Sequence, residues 1–341
     1  MQDRFLRACW RKPVDRTPAW YMRQAGRYLA EYRELRKTHG VLEIAKTPKL
    51  AAEIARLPVE KLGVDAAILF ADIMLPLEPA GVGFHIEEDV GPLIHDPIAE
   101  RKDVDRLAAI DPKKDMSFIA ETIGLLRDAV DVPVIGFAGA PFTLASYLIE
   151  GRPSRDFAKT KALMFRDEAT WRRLMEVLAD LVVTYLRFQV EAGAHAVQLF
   201  DSWVGALGPT DYTRYVQPFS RAVFEGTRGL GVPRIHFGTN TATLLELMRD
   251  AGGEVIGIDW RIPIDEAWQR LGDGVAIQGN LDPAALLGGR EFAIARTRET
   301  LDRVGGRPGH IFNLGHGVAP ATSPDVLAAV TEAVHAHGGR L

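Results

Sequence analysis

The stretch YMRQAGRYLAEYRELRK, from Tyr21 to Lys37, sets Arg23 and Arg27 on either side of Gly26. On one helix, like charges four residues apart repel mildly, and glycine favours a turn. The spacing therefore predicts a turn that aims two guanidinium groups at one ligand. Their fork suits carboxylate or phosphate. The plainer alternative is a pair of surface ion pairs with Glu31 or Glu34. Asp72 closes the apolar run AAILFAD. A carboxylate in such surroundings needs donors or a shifted pKa, and binding its own loop amides would also satisfy it. His316 stands between two glycines in NLGHG. An unencumbered imidazole there suits a general acid or base, or a donor to a carboxylate.

Two further segments carry polar groups. GFAGAPFTLASYLIEG places Gly139, Ala140 and Pro141 before a helix start. Gly139 would allow backbone to approach a ligand closely, and the Tyr147 hydroxyl would donate inward unless the ring is simply core. The run lacks the G-x-G-x-x-G spacing of a dinucleotide loop. QLFDSWVG offers Asp201 and Ser202. Without a G-x-S-x-G elbow, Ser202 reads as a ligand hydrogen bond or a helix cap rather than a nucleophile.

The elements that must hold these residues recur along the chain. Eight short apolar runs, rich in β-formers, span 18–24, 64–72, 133–139, 194–202, 233–239, 253–260, 274–280 and 309–316. Near-continuous apolar runs fit parallel strands buried on both faces. Helical periods lie between them, at 47–63, 168–193, 243–252 and 323–339, with Ser323-Pro324 as a start and Gly338 as a stop. This alternation predicts an α/β fold: a single-domain (β/α)8 TIM barrel over residues 1–341, with a hairpin insertion after strand two at 82–96 and a polar loop at 147–157. A barrel collects its chemistry at the carboxyl ends of the strands. Those ends are Arg23, Asp72, Gly139, Ser202, Gly238, Asp259, Asn280 and His316.

Bulk properties limit the partners. The 341 residues are 47% hydrophobic and 25% charged, with a net charge of -4, so nucleic acid and anionic membranes are not expected ligands. An acidic ligand would need a local basic cluster, and Arg23, Arg27, Arg33, Arg36 and Lys37 supply one. Cys9 is the only cysteine. No intrachain disulfide or thiolate-rich metal site can form. The nine histidines form no H-E-x-x-H pattern, the one H-x-H pair, His335 and His337, falls near the exposed end of the last helix, and no metal is expected. The first residues do not read as a signal peptide, nor does any run reach membrane-spanning length, so a cytoplasmic location is expected.

Taken together, MRQAGRYLAEYRELR, LFADIMLP, GFAGAPFTLASYLIEG, QLFDSWVG and FNLGHGVAP resemble the uroporphyrinogen decarboxylase family, in order and across nearly the whole chain. The resemblance implies a homodimeric barrel without metal or organic cofactor. It would decarboxylate the four acetates of uroporphyrinogen III to give coproporphyrinogen III in haem and tetrapyrrole biosynthesis. By motif position it implies Arg23, Arg27, Asp72, Tyr147, Ser202 and His316 as the substrate-binding set. Asp72, Arg23 and His316 are the candidates for catalysis. The rivals are a zinc-dependent corrinoid methyltransferase barrel, for which this sequence lacks an H-x-C ligand pair, a porphyrinogen carrier without turnover, and a phosphate-binding barrel using IQGN and NLGHG.

Overall fold

The computed structural model describes residues 1–337. Seven parallel strands form one curled sheet: β1 (Ala67–Ile68), β4 (Val134–Gly139), β5 (Ala196–Asp201), β6 (Arg234–Gly238), β7 (Val255–Gly257), β8 (Ala276–Gln278) and β9 (His310–Ile311). The remaining two strands, β2 (Phe84–Glu87) and β3 (Gly91–Ile94), pair antiparallel as the predicted hairpin. Helices Pro48–Leu62, Glu168–Glu191, Leu245–Ala251 and Pro324–His337 occupy the predicted helical segments. Gly63 ends the first of them in the left-handed conformation, which glycine enters at little cost. Gly338, the predicted stop of the last helix, lies outside the described residues.

The eighth barrel position is not a regular strand. Of the predicted run 18–24, only Ala19 makes a strand-like bridge, to Phe312. Around it, the Phe312 N–H donates to the Pro18 carbonyl at 2.9 Å and the Trp20 N–H to the Phe312 carbonyl at 3.2 Å. On the β1 side a side chain completes the pairing. The Asp65 N–H donates to the Ala19 carbonyl at 2.7 Å, and the Ala19 N–H returns a bond to Asp65 Oδ2 at 2.8 Å. Strand pairing is thus replaced by one carboxylate, and the barrel closes.

That carboxylate is buried and heavily used. Arg4 donates to Asp65 Oδ1 at 2.7 Å, and His335 Nε2 donates to Oδ2 at 2.7 Å. The expectation that His335 is exposed therefore fails: its ring is turned inward as a tie between the last helix and the first barrel segment. Burial alone would raise the Asp65 carboxyl. His335, the Ala19 amide and Arg4 outweigh it and hold the group below the usual carboxylate range.

Inside the barrel, polar side chains form a connected line. Trp20 Nε1 donates to Gln278 Oε1 at 2.9 Å, and Gln278 Nε2 donates to Gln198 Oε1 at 2.9 Å. Gln189, from the 24-residue helix, both accepts from the Phe137 N–H and donates to the Phe137 carbonyl. It fits because residue 136 is glycine; a Cβ there would sit 2.3 Å from Gln189 Oε1. Buried polar groups are tolerated when bonded in this way.

Stability should fall on acidification. Burial pushes His310 down to about 4, so between pH ~6.5 and 4 the unfolded chain binds a proton that the folded chain refuses. Asp65, depressed in the folded state, carries the loss to lower pH. Urea midpoints measured from pH 7 downward check the slope. Asp65→Ala is expected to cost about 3–5 kcal/mol at pH 7, since it strands Arg4 and His335 beside a buried gap. A cost under about 1 kcal/mol would show that the closure does not depend on Asp65.

Candidate active site

The turn that follows Ala19 is fixed before any ligand arrives. Gln24 is buried; its side chain accepts from the Tyr21 N–H at 3.0 Å and donates to the Ala66 carbonyl at 3.0 Å. The Met22 N–H donates to Asn313 Oδ1 at 3.1 Å, and the Met22 carbonyl accepts from Val318 at 2.9 Å. Residue 23 is thereby forced out of the sheet into the left-handed region, with φ 61°. A non-glycine residue there carries strain of roughly 1–3 kcal/mol, and such strain gathers at functional sites. The turn predicted at Gly26 exists, but the unusual backbone belongs to Arg23. Gly26 is needed for space, because a Cβ would lie 2.8 Å from the Arg23 carbonyl oxygen.

Arg23 lies exposed in the mouth, and among the described residues its guanidinium makes no ion pair or hydrogen bond. Its aliphatic stem lies on Gly317, where a Cβ would come within 2.4 Å of Arg23 Cδ. The arginine and the glycine after His316 therefore form one contact. Arg27 follows one turn later and pairs with Asp89 at 2.7 Å, at the tip of the hairpin. The surface pairs imagined with Glu31 and Glu34 do not form; those acids bind Lys61 and Lys37. Arg33 is structural, donating to the Arg27 and Tyr28 carbonyls.

Asp72 lies beyond the end of β1 in a half-buried loop. Its Oδ1 accepts from the Met74 N–H at 2.8 Å. Burial raises its pKa, against the pull of that amide and of the Arg23 guanidinium. Tyr147, on the helix Pro141–Glu150, is likewise pushed up by burial and by the Asp72 charge. Its ring stacks on Trp203 with centroids 3.9 Å apart. Phe157 also packs on Trp203, with ring centroids 5.1 Å apart. Gly139 does not open a path to a ligand as expected. Its missing Cβ is filled by Leu144 and Ile73, so the glycine brings the Asp72 loop against the Tyr147 helix. Ser202 is half-buried beside Trp203, and its carbonyl accepts from Thr239 Oγ1 at 2.5 Å.

His316 completes the rim. Nδ1 accepts from the Gly317 N–H at 2.7 Å, leaving Nε2 to carry the proton. Burial, then Arg23 and Arg261, pull its pKa down to about 4 against the opposing charge of Asp259. The imidazole is neutral near pH 7 and offers one N–H.

The structure thus brings Asp72, Tyr147 and His316 each within reach of the Arg23 charge, with Arg27 further out at the hairpin and Ser202 next to Trp203 in the chain. Gly238, Asp259 and Asn280 end strands as expected but are scaffolding. Gly238 abuts Thr241. The Asp259 carboxylate accepts from the Asn240 N–H, and Asn280 Nδ2 donates to the Asp259 and Ile262 carbonyls. Two residues escaped the sequence reading. Trp203 was visible in DSW but carries no chemistry by itself. Arg261 follows Asp259 so closely that the pair reads as a local salt bridge. The hairpin and the polar loop pack together: the Ile94 N–H donates to the Gly151 carbonyl at 2.8 Å, and Gly91 packs on Pro153. Among the described residues, no three His, Cys, Asp or Glu side chains gather as a metal-ligand set.

Fold and site define a (β/α)8 barrel whose mouth gathers Arg23, Tyr147 and His316 about one half-buried carboxylate, Asp72. The family model described as Uroporphyrinogen decarboxylase (URO-D) matches residues 1–337. A protein from Sorangium cellulosum named uroporphyrinogen decarboxylase is 54% identical, over 98% of this chain and 96% of its own. One of the same name from Streptomyces coelicolor is 54% identical, over 97% of this chain and 93% of its own. The chain belongs to the uroporphyrinogen decarboxylase family. A solved methyltransferase from Methanosarcina mazei shares the fold, with a TM-score of 0.81 over 97% of each chain at 20% identity. No helix of the described residues is long and apolar enough to cross a membrane.

Gly317→Ala tests the Arg23 contact. Its backbone is ordinary for alanine, so the melting temperature should stay within a few degrees. Displacing Arg23 should weaken the binding of a polycarboxylate probe, followed by calorimetric titration, by about tenfold, the scale of one charge-assisted hydrogen bond. Unchanged affinity would mean that Arg23 does not hold the anion.

Proposed function

We propose that this protein decarboxylates the four acetate side chains of uroporphyrinogen III to coproporphyrinogen III. It does so as a homodimer of one-domain barrels in the cytoplasm. Membership of the family supports the reaction. The observation that carries the site assignment is a half-buried Asp72, its pKa raised by burial, within reach of an Arg23 whose guanidinium has no partner among the described residues.

The substrate is a flexible ring with eight carboxylates and four pyrrole N–H groups that converge on its centre. Asp72 accepts from those N–H groups and organises the ring. Protonation of a pyrrole carbon makes that pyrrole cationic, so it can draw the electron pair of the breaking C–C bond as carbon dioxide leaves. The resulting neutral, enamine-like carbon then takes a proton to become methyl, and the ring carbon gives up the proton it gained, which restores the pyrrole. A carboxylate in apolar surroundings stabilises the transient cation more than one in water would. The substrate supplies its own electron sink, so the chemistry proposed here needs no cofactor.

Arg23 and Arg27 hold peripheral carboxylates. Binding at Arg27 competes with Asp89. A guanidinium with a pKa above ~12 is a poor acid, which makes Arg23 a clamp rather than the proton source. His316, neutral at the working pH, donates its Nε2–H to a substrate acid. Tyr147 and Ser202 add hydroxyl contacts.

Anaerobic incubation of the chelator-treated protein with the reduced octa-acid should give seven-, six-, five- and four-carboxyl products in turn. Asp72→Asn should lower kcat by about 100-fold or more, the scale of losing one transition-state electrostatic contact. Near-normal turnover would remove Asp72 from the chemistry. His316→Gln keeps a neutral donor, so kcat/KM should retain its pH profile between pH 5 and 8. Loss of a limb of that profile would make His316 the acid.

A further inference from the structure

The cations read from the sequence leave part of the mouth bare. With Pro18–Trp20 as the first barrel position, Arg23 follows the first, Asp72 the second, Tyr147 the third, Ser202 the fourth and His316 the eighth. A macrocycle with carboxylates on every side also presents acids to positions five to seven. Arg261 stands there, after β7, the sixth position.

Its setting is built. The turn Asp259–Trp260–Arg261 packs directly on the segment carrying His316, since a Cβ on Gly315 would lie 2.6 Å from the Trp260 nitrogen. The guanidinium lies over the Trp260 ring, 4.1 Å from its centroid. Nη1 donates to the buried Asp259 carboxylate, while Nε and Nη2 have no partner among the described residues. The side chain is 42% exposed, and its charge is felt at His316. The loop does not need the guanidinium to hold its shape. Asp259 is already bonded by the Asn240 and Arg261 N–H groups, and Asn280 holds the Asp259 and Ile262 carbonyls. What remains is a fork pinned on one edge, stacked on one face and open on the other edge.

We propose that Arg261 is a further substrate-binding residue, taking a peripheral carboxylate of the macrocycle on the side of the mouth away from Arg27. This rests on the decarboxylase reading. Asp259 offsets only part of the charge of this half-exposed side chain, so Arg261 contributes oriented donors as well as attraction, and it sets how the far side of the ring is seated.

The test is anaerobic steady-state kinetics of R261Q and R261K on the octa-acid, at several salt concentrations, with melting temperatures alongside. R261Q is expected to raise KM about ten- to a hundredfold, with kcat within threefold, melting within a few degrees and a shallower dependence of KM on salt. R261K, which keeps the charge but loses the fork, should fall between. An unchanged KM in R261Q overturns the inference. So does a joint fall of kcat and melting temperature with the salt dependence intact, which marks a structural role. Wild-type protein that turned nothing over would sink the decarboxylase reading and this inference together. Active wild type with an unaltered R261Q sinks this inference alone.

Discussion

The bond pattern around Asp65 governs the rest of the molecule. A parallel barrel needs every position paired on both sides, yet the first position has only one residue in strand-like register. One carboxylate substitutes for the missing ladder while also receiving Arg4 and His335. Desolvating a carboxylate is costly, and only several donors make such burial tolerable. The cluster therefore fixes where the first segment runs, and so where its turn throws Arg23.

At the opposite end of the barrel the same economy recurs. Gln24, Asn313 and Gly317 define the Arg23 turn; Gly139 seats the Asp72 loop on the Tyr147 helix; Asp259 and Asn280 shape the turn beside His316. The candidate site groups are few and the residues that aim them are many. Most of the latter are small or amide-bearing: the glycines let backbone segments approach, and the amides bond backbone groups that the approach buries. Electrostatics follow from that packing. Asp72 is pushed toward protonation by burial, and His316 away from it by burial and two guanidiniums. A carboxyl and an imidazole shifted in opposite directions within one cleft give it distinct acceptor and donor groups.

Much of this was legible in the sequence. The long apolar runs of β4, β5 and β6 announced themselves, as did the helix from Pro48 with its glycine stop. The hairpin showed in its alternation. The first strand misled because its pairing is made by an aspartate 46 residues away, and periodicity sees only local pattern. Gly139 and His335 were misjudged for the same reason: a glycine's purpose depends on which side chain fills its empty side, and a histidine's exposure on which acid lies opposite. Arg261 was hidden by its neighbour, since an Asp-x-Arg triplet looks self-sufficient until Gly315 and His316 are seen to pack against it.

The Arg23 turn has a consequence for when the protein becomes competent. Its backbone is tied to Asn313 and Val318, and Tyr21 bonds Thr331 across 310 residues of chain. Contacts this distant close late, because the loop entropy must be met before they reward it. A chain still emerging from the ribosome without its last strand would have the arginines but not the geometry that presents them. The fixed form of the Arg23 turn thus arrives with the carboxyl-terminal segment, which supplies Asn313, Val318 and Thr331.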